Sequence, residues 1–171
     1  RYNPLQEKDE SLADKYKLKN KFVIGYIGTH GLAHALENVL EAAEFIKKET
    51  NIRILFVGGG ADRSRLEKIV RDRGLKNIVL IPRQPKNQMP KVWSLCDISL
   101  VHLRNSPLFK TVIPSKIFES MAMGLPILMA MPFGEATDII EKYKAGIRVL
   151  PEHPKELSKK FLELANNKEL V

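Results

Sequence analysis

Six short runs of aliphatic and aromatic residues, each followed by a stretch with helical spacing, constrain this chain more than any other feature. The runs are Lys21–Gly28, Ile52–Val57, Asn77–Ile81, Asp97–His102, Leu125–Ala130 and Gly146–Leu150. Helical patterns follow them over Leu32–Glu49, Ala61–Arg73, Gln88–Leu95, a stretch opening at Pro114, Glu135–Lys144 and Lys155–Asn167, the last launched by Pro154. The runs are continuous rather than alternating, as strands covered on both faces must be. Strand and helix in turn predict βαβ units and a parallel sheet. The expected fold is therefore an α/β, Rossmann-like three-layer sandwich of about six parallel strands with helices on both faces. Ligands of such sheets sit outside the carboxyl ends of the strands, where the winding reverses.

A chain of 171 residues that is 44% hydrophobic can bury one full core, so one domain is expected over residues 21–171. Residues 1–20 are charged and thin in apolar side chains. An Asp9–Tyr16 segment could form a surface helix, and the whole reads as a linker or lead-in from an earlier domain. A chain opening on Arg1 rather than Met is expected to be a piece of a longer one. No run reaches the length of a membrane helix, and a single cysteine, Cys96, gives neither a disulfide frame nor a metal cluster and points to a reducing compartment. The net charge of +8 is unevenly spread. Between Pro82 and Glu119, Arg83, Lys86, Lys91, Arg104, Lys110 and Lys116 face only Asp97 and Glu119. Such a local field suits a compact anion. A nucleic-acid groove would spread its cations and interleave aromatics, so no nucleic-acid partner is expected.

The stretch Ile113–Pro126 reads as a short helix with a proline near its first turn and Gly124 past its end. On a helical wheel Ile117, Phe118, Met121 and Ala122 share an arc expected to face the core, while Ser115, Lys116 and Glu119 share the opposite one. Unpaired amides of the first turn, a cation and a carboxylate one turn on suit the phosphates and ribose of a nucleotide. The other candidate loops are Gly28–Gly31, Gly58–Gly60, Pro82–Gln88, His102–Ser115 and Met131–Glu135, each after a strand. A dinucleotide site is disfavoured, because the first turn offers only Gly28 and Gly31 and no acid follows the second strand before Asp62. His30 and His34 lie four apart, but His30 precedes the helix, so metal binding by the pair is not expected. Met89 and Trp93 stand at helical spacing and read as core.

From about Lys21 to Asn167 the chain resembles the C-terminal, donor-binding domain of family-4 glycosyltransferases of the two-domain GT-B type. The resemblance rests on the first glycine loop, on Leu55–Gly60, on Cys96–Val101 and above all on Pro114–Pro126, which is similar to the family's Glu-Ala-Met-Ala-x-Gly-x-Pro signature. Gly28–His34 resembles a branch that builds bacterial surface polysaccharides. The resemblance implies a retaining transferase that moves a sugar from a nucleoside-diphosphate sugar, UDP-sugars favoured, without metal or other cofactor. Glu119 would hold the ribose; the amides of Ser115 and Lys116 and the Lys116 ammonium, with Gly28 and Thr29, would hold the diphosphate. Arg83, Thr111, Gly134 and Glu135 would lie near the base or sugar, although Glu135 also fits a helix-start acid. The acceptor, a glycan or lipid-linked sugar, would be bound by an N-terminal domain absent from these residues. The work would be done in the cytoplasm, with peripheral association at the inner face of the membrane left open. The family usually has glutamate where Thr111 stands, arginine near Thr29 and lysine near His34. Lys116, Arg104 or Lys110 would have to supply the missing charge. These departures keep open two other readings, a non-catalytic nucleotide-binding module and a nucleotide-sugar epimerase of the same architecture.

Overall fold

The computed structural model describes residues 2–4 and 7–167. Its strands are β1 (Phe22–Ile27), β2 (Ile52–Val57), β3 (Ile78–Ile81), β4 (Ile98–His102), β5 (Ile127–Ala130) and β6 (Gly146–Val149). Its helices are α1 (Glu10–Lys15), α2 (Glu37–Phe45), α3 (Arg63–Asp72), α4 (Met89–Trp93), α5 (Lys116–Ala122), α6 (Glu135–Lys142) and α7 (Pro154–Asn166). All six strands pair in parallel in the order β3-β2-β1-β4-β5-β6, with Tyr26 opposite Phe56 and Ile24 opposite Ile98. This is the expected Rossmann-like sheet. Winding reverses between β1 and β4, which leaves a crevice above their carboxyl ends.

Burial explains why the strand runs are so apolar. β2 and β4 are buried almost throughout, whereas β6, at the edge, is half-exposed. On one face of the sheet Leu36, Leu40, Phe56 and Phe161 pack together; on the other, Val23, Leu55, Val57 and Trp93 do, with a third cluster around Ile117, Met129 and Ile140. The Asp97 carboxylate accepts from the Val23 amide at 2.7 Å and pairs with Lys8, which fixes the start of β1 beside β4.

Three details differ from the sequence reading. Of the segment read as lead-in, Ala13 and Leu18 are buried in the Trp93 cluster, and Tyr2 and Tyr16 pack against it. Fully burying a leucine contributes about 1.5–3 kcal/mol, so this segment helps hold the domain together. The helix expected over Leu32–Glu49 is broken. Leu32–His34 is a 3₁₀ turn, Ala35 stands in the left-handed region at φ 44°, and α2 begins only at Glu37. Finally, α5 is turned on its axis relative to the wheel. Lys116, Ile117, Ser120 and Met123 face inward, while Phe118 is 55% exposed and Ala122 is exposed. Ser120 is tolerated there because its hydroxyl lies between the Lys116 carbonyl (2.7 Å) and the Ser99 hydroxyl of β4 (2.6 Å), so no buried polar atom is stranded.

Candidate functional site

A cleft of about 920 Å³ opens where the winding reverses. Gly28 and Thr29 come to it from the end of β1, Val57–Gly60 from β2, Arg83, Gln84 and Lys86 from the loop after β3, and Ser115, Lys116 and Glu119 from the start of α5. Tyr2, Ile27 and Met89 complete its lining. Of the residues singled out from the sequence, Gly28, Thr29, Arg83, Ser115, Lys116 and Glu119 are thus brought to one place.

The glycines are there for close approach. Gly58 sits at φ +145°, and a Cβ on it would lie 1.9 Å from the Gly28 carbonyl oxygen. A Cβ on Gly28, at φ +149°, would meet the Lys116 amine at 2.9 Å. Gly58 is therefore limited to glycine by sterics as well as by φ, and Gly28 by φ, since the end of a lysine side chain can shift. At the start of α5 the amides of Ser115 and Lys116 donate to no acceptor among the described residues, as the first amides of any helix must unless capped.

Lys116 departs most from expectation. Its residue surface is only 8% exposed, and its Nζ lies 3.7 Å from the centre of the Tyr26 ring with no hydrogen-bond partner among the described residues. Burial pushes the Lys116 pKa down to about 7, which Glu119 opposes only in part. The ring face of Tyr26 attracts a cation by ~0.5–2 kcal/mol, less than burial costs an unpaired ammonium, so burial decides the charge. Glu119 is half-buried in the cleft wall and, with burial, raises the Tyr2 phenol pKa.

Behind Lys116 two histidines, His30 and His34, flank Tyr26, whose hydroxyl donates to the Thr29 carbonyl at 2.8 Å, and a third, His102, adjoins them. His30 and His34 stand 5.9 Å from the Tyr26 ring, centre to centre. His102, at the end of β4, has Nδ1 2.8 Å from the His34 carbonyl, so Nδ1 carries the proton and Nε2 is left as an acceptor. Burial holds His30 and His102 down to about 4, and His34 below its usual value. Sequence reasoning missed Tyr2 and Tyr26; Gln84, Lys86 and His102 lay within the loops it named, without a role of their own. Lys86 carried a signal as one of the clustered cations, and His102 as a polar residue closing an apolar strand.

Other expected residues lie elsewhere. Thr111, Gly134 and Glu135 are outside the cleft lining: a Cβ on Gly134 would strike the Lys110 backbone, and Glu135 is an exposed acid in the first turn of α6. Arg104 and Lys110 are exposed and do not line the cleft, and Lys91 pairs with Asp9 at 3.4 Å. Half of the expected local field is thus spent away from the site. Trp93 is core as expected, whereas Met89 divides its surface between core and cleft. Among the described residues no three His, Cys, Asp or Glu side chains are grouped to hold a metal, and no helix is long and apolar enough to cross a membrane.

A glycine-lined cleft at the switch point of a parallel sheet, with basic residues and a carboxylate in its walls, stands where α/β sheets take their ligands. Comparison with known proteins sharpens this: the family described as Glycosyl transferases group 1 matches residues 7–171, and the chain belongs to it. WcaI of Escherichia coli (strain K12), named for colanic acid biosynthesis glycosyl transfer, is 34% identical over 134 residues, which cover 78% of this chain and 32% of WcaI. The chain therefore spans about a third of that relative's length. Its fold matches the C-terminal domain of a group 1 glycosyl transferase, LpcC of Francisella tularensis, with a TM-score of 0.77 at 21% identity, covering 99% of this chain and 87% of that domain. Anabaena Alr3699/HepE, solved in complex with UDP, matches with a TM-score of 0.75 at 17% identity over 93% of this chain and 43% of its own. The fold is thus one half of a GT-B glycosyltransferase.

Proposed function

We propose that this chain is the donor-binding half of a metal-independent, retaining glycosyltransferase that takes its sugar from a nucleoside-diphosphate sugar. One observation carries the reading: the switch-point cleft gathers Gly28, Thr29, Arg83, Ser115, Lys116 and Glu119 from three separate segments. The Glu119 carboxylate accepts hydrogen bonds from the ribose hydroxyls. The amides of Ser115 and Lys116, Gly28 and Thr29, and the Lys116 side chain receive the diphosphate, and Arg83 reaches toward the base. As the glycosidic bond to phosphate breaks, negative charge grows on the diphosphate, and fixed N–H dipoles with a nearby cation stabilise it. The diphosphate's own oxygen takes the acceptor's proton, so no side-chain nucleophile is needed in this half.

UDP-sugars are the favoured donors, supported by the UDP bound to the similarly folded HepE. A glycan or lipid-linked sugar, bound by residues outside this chain, is the acceptor, and surface polysaccharide is the product class supported by the likeness to WcaI. Calorimetry of UDP and GDP with the chain in chelator tests the donor reading. Weak binding of at least one, unchanged by added magnesium, is expected; binding seen only with magnesium would remove the metal-free mechanism.

A further inference from the structure

Four polar groups crowd behind the diphosphate wall of the cleft. The Lys116 amine, the His102 Nε2, the His34 Nδ1 and both ring nitrogens of His30 are buried without a hydrogen-bond partner among the described residues. They converge on one ring: Lys116 Nζ lies over Tyr26, and His30 and His34 flank it. His102 joins through its contact with the His34 carbonyl. Each of these four groups can become positive, and none of them is ion-paired. Glu119, on the same helix, acts on Lys116 only through space, and Arg63 and Glu67 of α3 and Glu152 act on the histidines in the same way. The amine lies against Gly28, itself a wall of the cleft, and shows almost no surface of its own, so an anion seated there acts on it across that glycine and touches it after a small shift of the side chain.

We propose that donor binding is coupled to proton uptake: Lys116 stands as an uncharged amine in the ligand-free chain and takes a proton from solvent when a diphosphate seats against it. The inference rests on the donor reading above. A buried ammonium without a counterion is disfavoured, and the surrounding imidazoles can only add like charge. The diphosphate of a nucleotide sugar brings the missing counterion, and the amine then gains an N–H to give to a phosphate oxygen. The lowering of the Lys116 pKa to about 7 places the change near neutrality. The histidines, held lower, stay neutral through it. The cleft therefore discriminates by charge, favouring a diphosphate over a neutral ligand of the same shape. Donor affinity falls by up to about tenfold for each pH unit above the Lys116 value, one proton being lost per amine.

The test is calorimetry of UDP-glucose, whose diphosphate diester does not titrate near neutrality, with the 171-residue chain in two buffers of unlike ionisation heat. We expect about one proton taken up per ligand near pH 8.5, falling toward none near pH 6, and no uptake at either pH in Lys116→Arg, whose charge is permanent. In parallel, the ¹³Cε resonance of Lys116 in the ligand-free chain is followed against pH. Titration between about pH 6 and 8 is expected, and titration near the ordinary lysine value of about 10.4 overturns the inference even if no ligand binds. Binding with no proton uptake at any pH, or uptake that survives in Lys116→Arg and so belongs to a histidine, overturns the inference and leaves the donor reading standing. No binding of UDP-glucose, UDP or GDP at any pH defeats the donor reading, and the proposal with it.

Discussion

Replacing Lys116 by methionine should make the ligand-free protein more stable while weakening its hold on nucleotide. Methionine, one atom shorter, fills most of the same space beside Tyr26 and removes a buried amine that has no hydrogen-bond partner among the described residues. Its pKa is lowered from 10.5 to about 7. At ~1.4 kcal/mol per unit this amounts to roughly 4 kcal/mol at neutral pH, and relaxation of the site reduces it to about 2–4 kcal/mol. Because the folded value lies below the unfolded one, the unfolded chain binds more protons between about pH 7 and 10.5. The wild type therefore gains stability as pH rises through that window, and the methionine variant lacks that gain. The raised pKa values of Tyr26 and Cys96 act in the opposite sense in both proteins and cancel in the difference. Thermal melts at neutral pH should place the variant at least about 5 °C higher, at ~2–4 °C per kcal/mol for a chain of this size. The gap should close as pH approaches 10. A variant that melts lower than wild type at neutral pH, or a gap independent of pH, would refute the reasoning.

Glu119→Ala should weaken UDP by about tenfold or more, since a hydrogen bond to a charged acceptor is worth ~1.5–3 kcal/mol, while leaving inorganic pyrophosphate almost untouched. Equal losses in competition calorimetry would make Glu119 a structural group. Gly58→Ala should cost about 2 kcal/mol or more in denaturant melts, because its Cβ overlaps the Gly28 carbonyl at a positive φ. Gly59→Ala, with nothing within 4 Å of its Cβ, serves as the near-neutral control. Labelled oligonucleotides should show no binding tighter than about 1 μM by fluorescence polarisation near 0.15 M salt, since the exposed cations are dispersed and screened beyond about 8 Å.

The sheet was legible because parallel strands buried on both faces leave a contiguous apolar signal, and each of the six runs became a strand. What escaped depended on single residues whose fate is set by distant partners. Nothing local marks Ala35 for a left-handed conformation that delays α2. Leu18 and Ala13 read as sparse in a charged segment, yet two well-placed side chains suffice to dock it against Trp93. On α5 the wheel sorted residues by polarity and so turned Phe118 inward and Lys116 outward, but Ser99 on β4 gives Ser120 a partner and lets the polar row face the sheet. Glu119, Ser115 and Gly28 could be named from motif alone. The histidine cluster could not, since His30, His34 and His102 meet Lys116 only once β1 and β4 are paired.

The central claim is that a nucleoside diphosphate occupies the crevice between the ends of β1 and β4 with no metal ion. Amide ¹H–¹⁵N spectra of the chain, recorded in chelator as UDP is added, test it most directly. The largest shifts should fall on Gly28, Thr29, Gly58–Gly60, Arg83 and Ser115–Glu119, with Thr111 and Glu135 little moved. Shifts centred on Pro107–Thr111 and α6, or appearing only after magnesium is added, would contradict it.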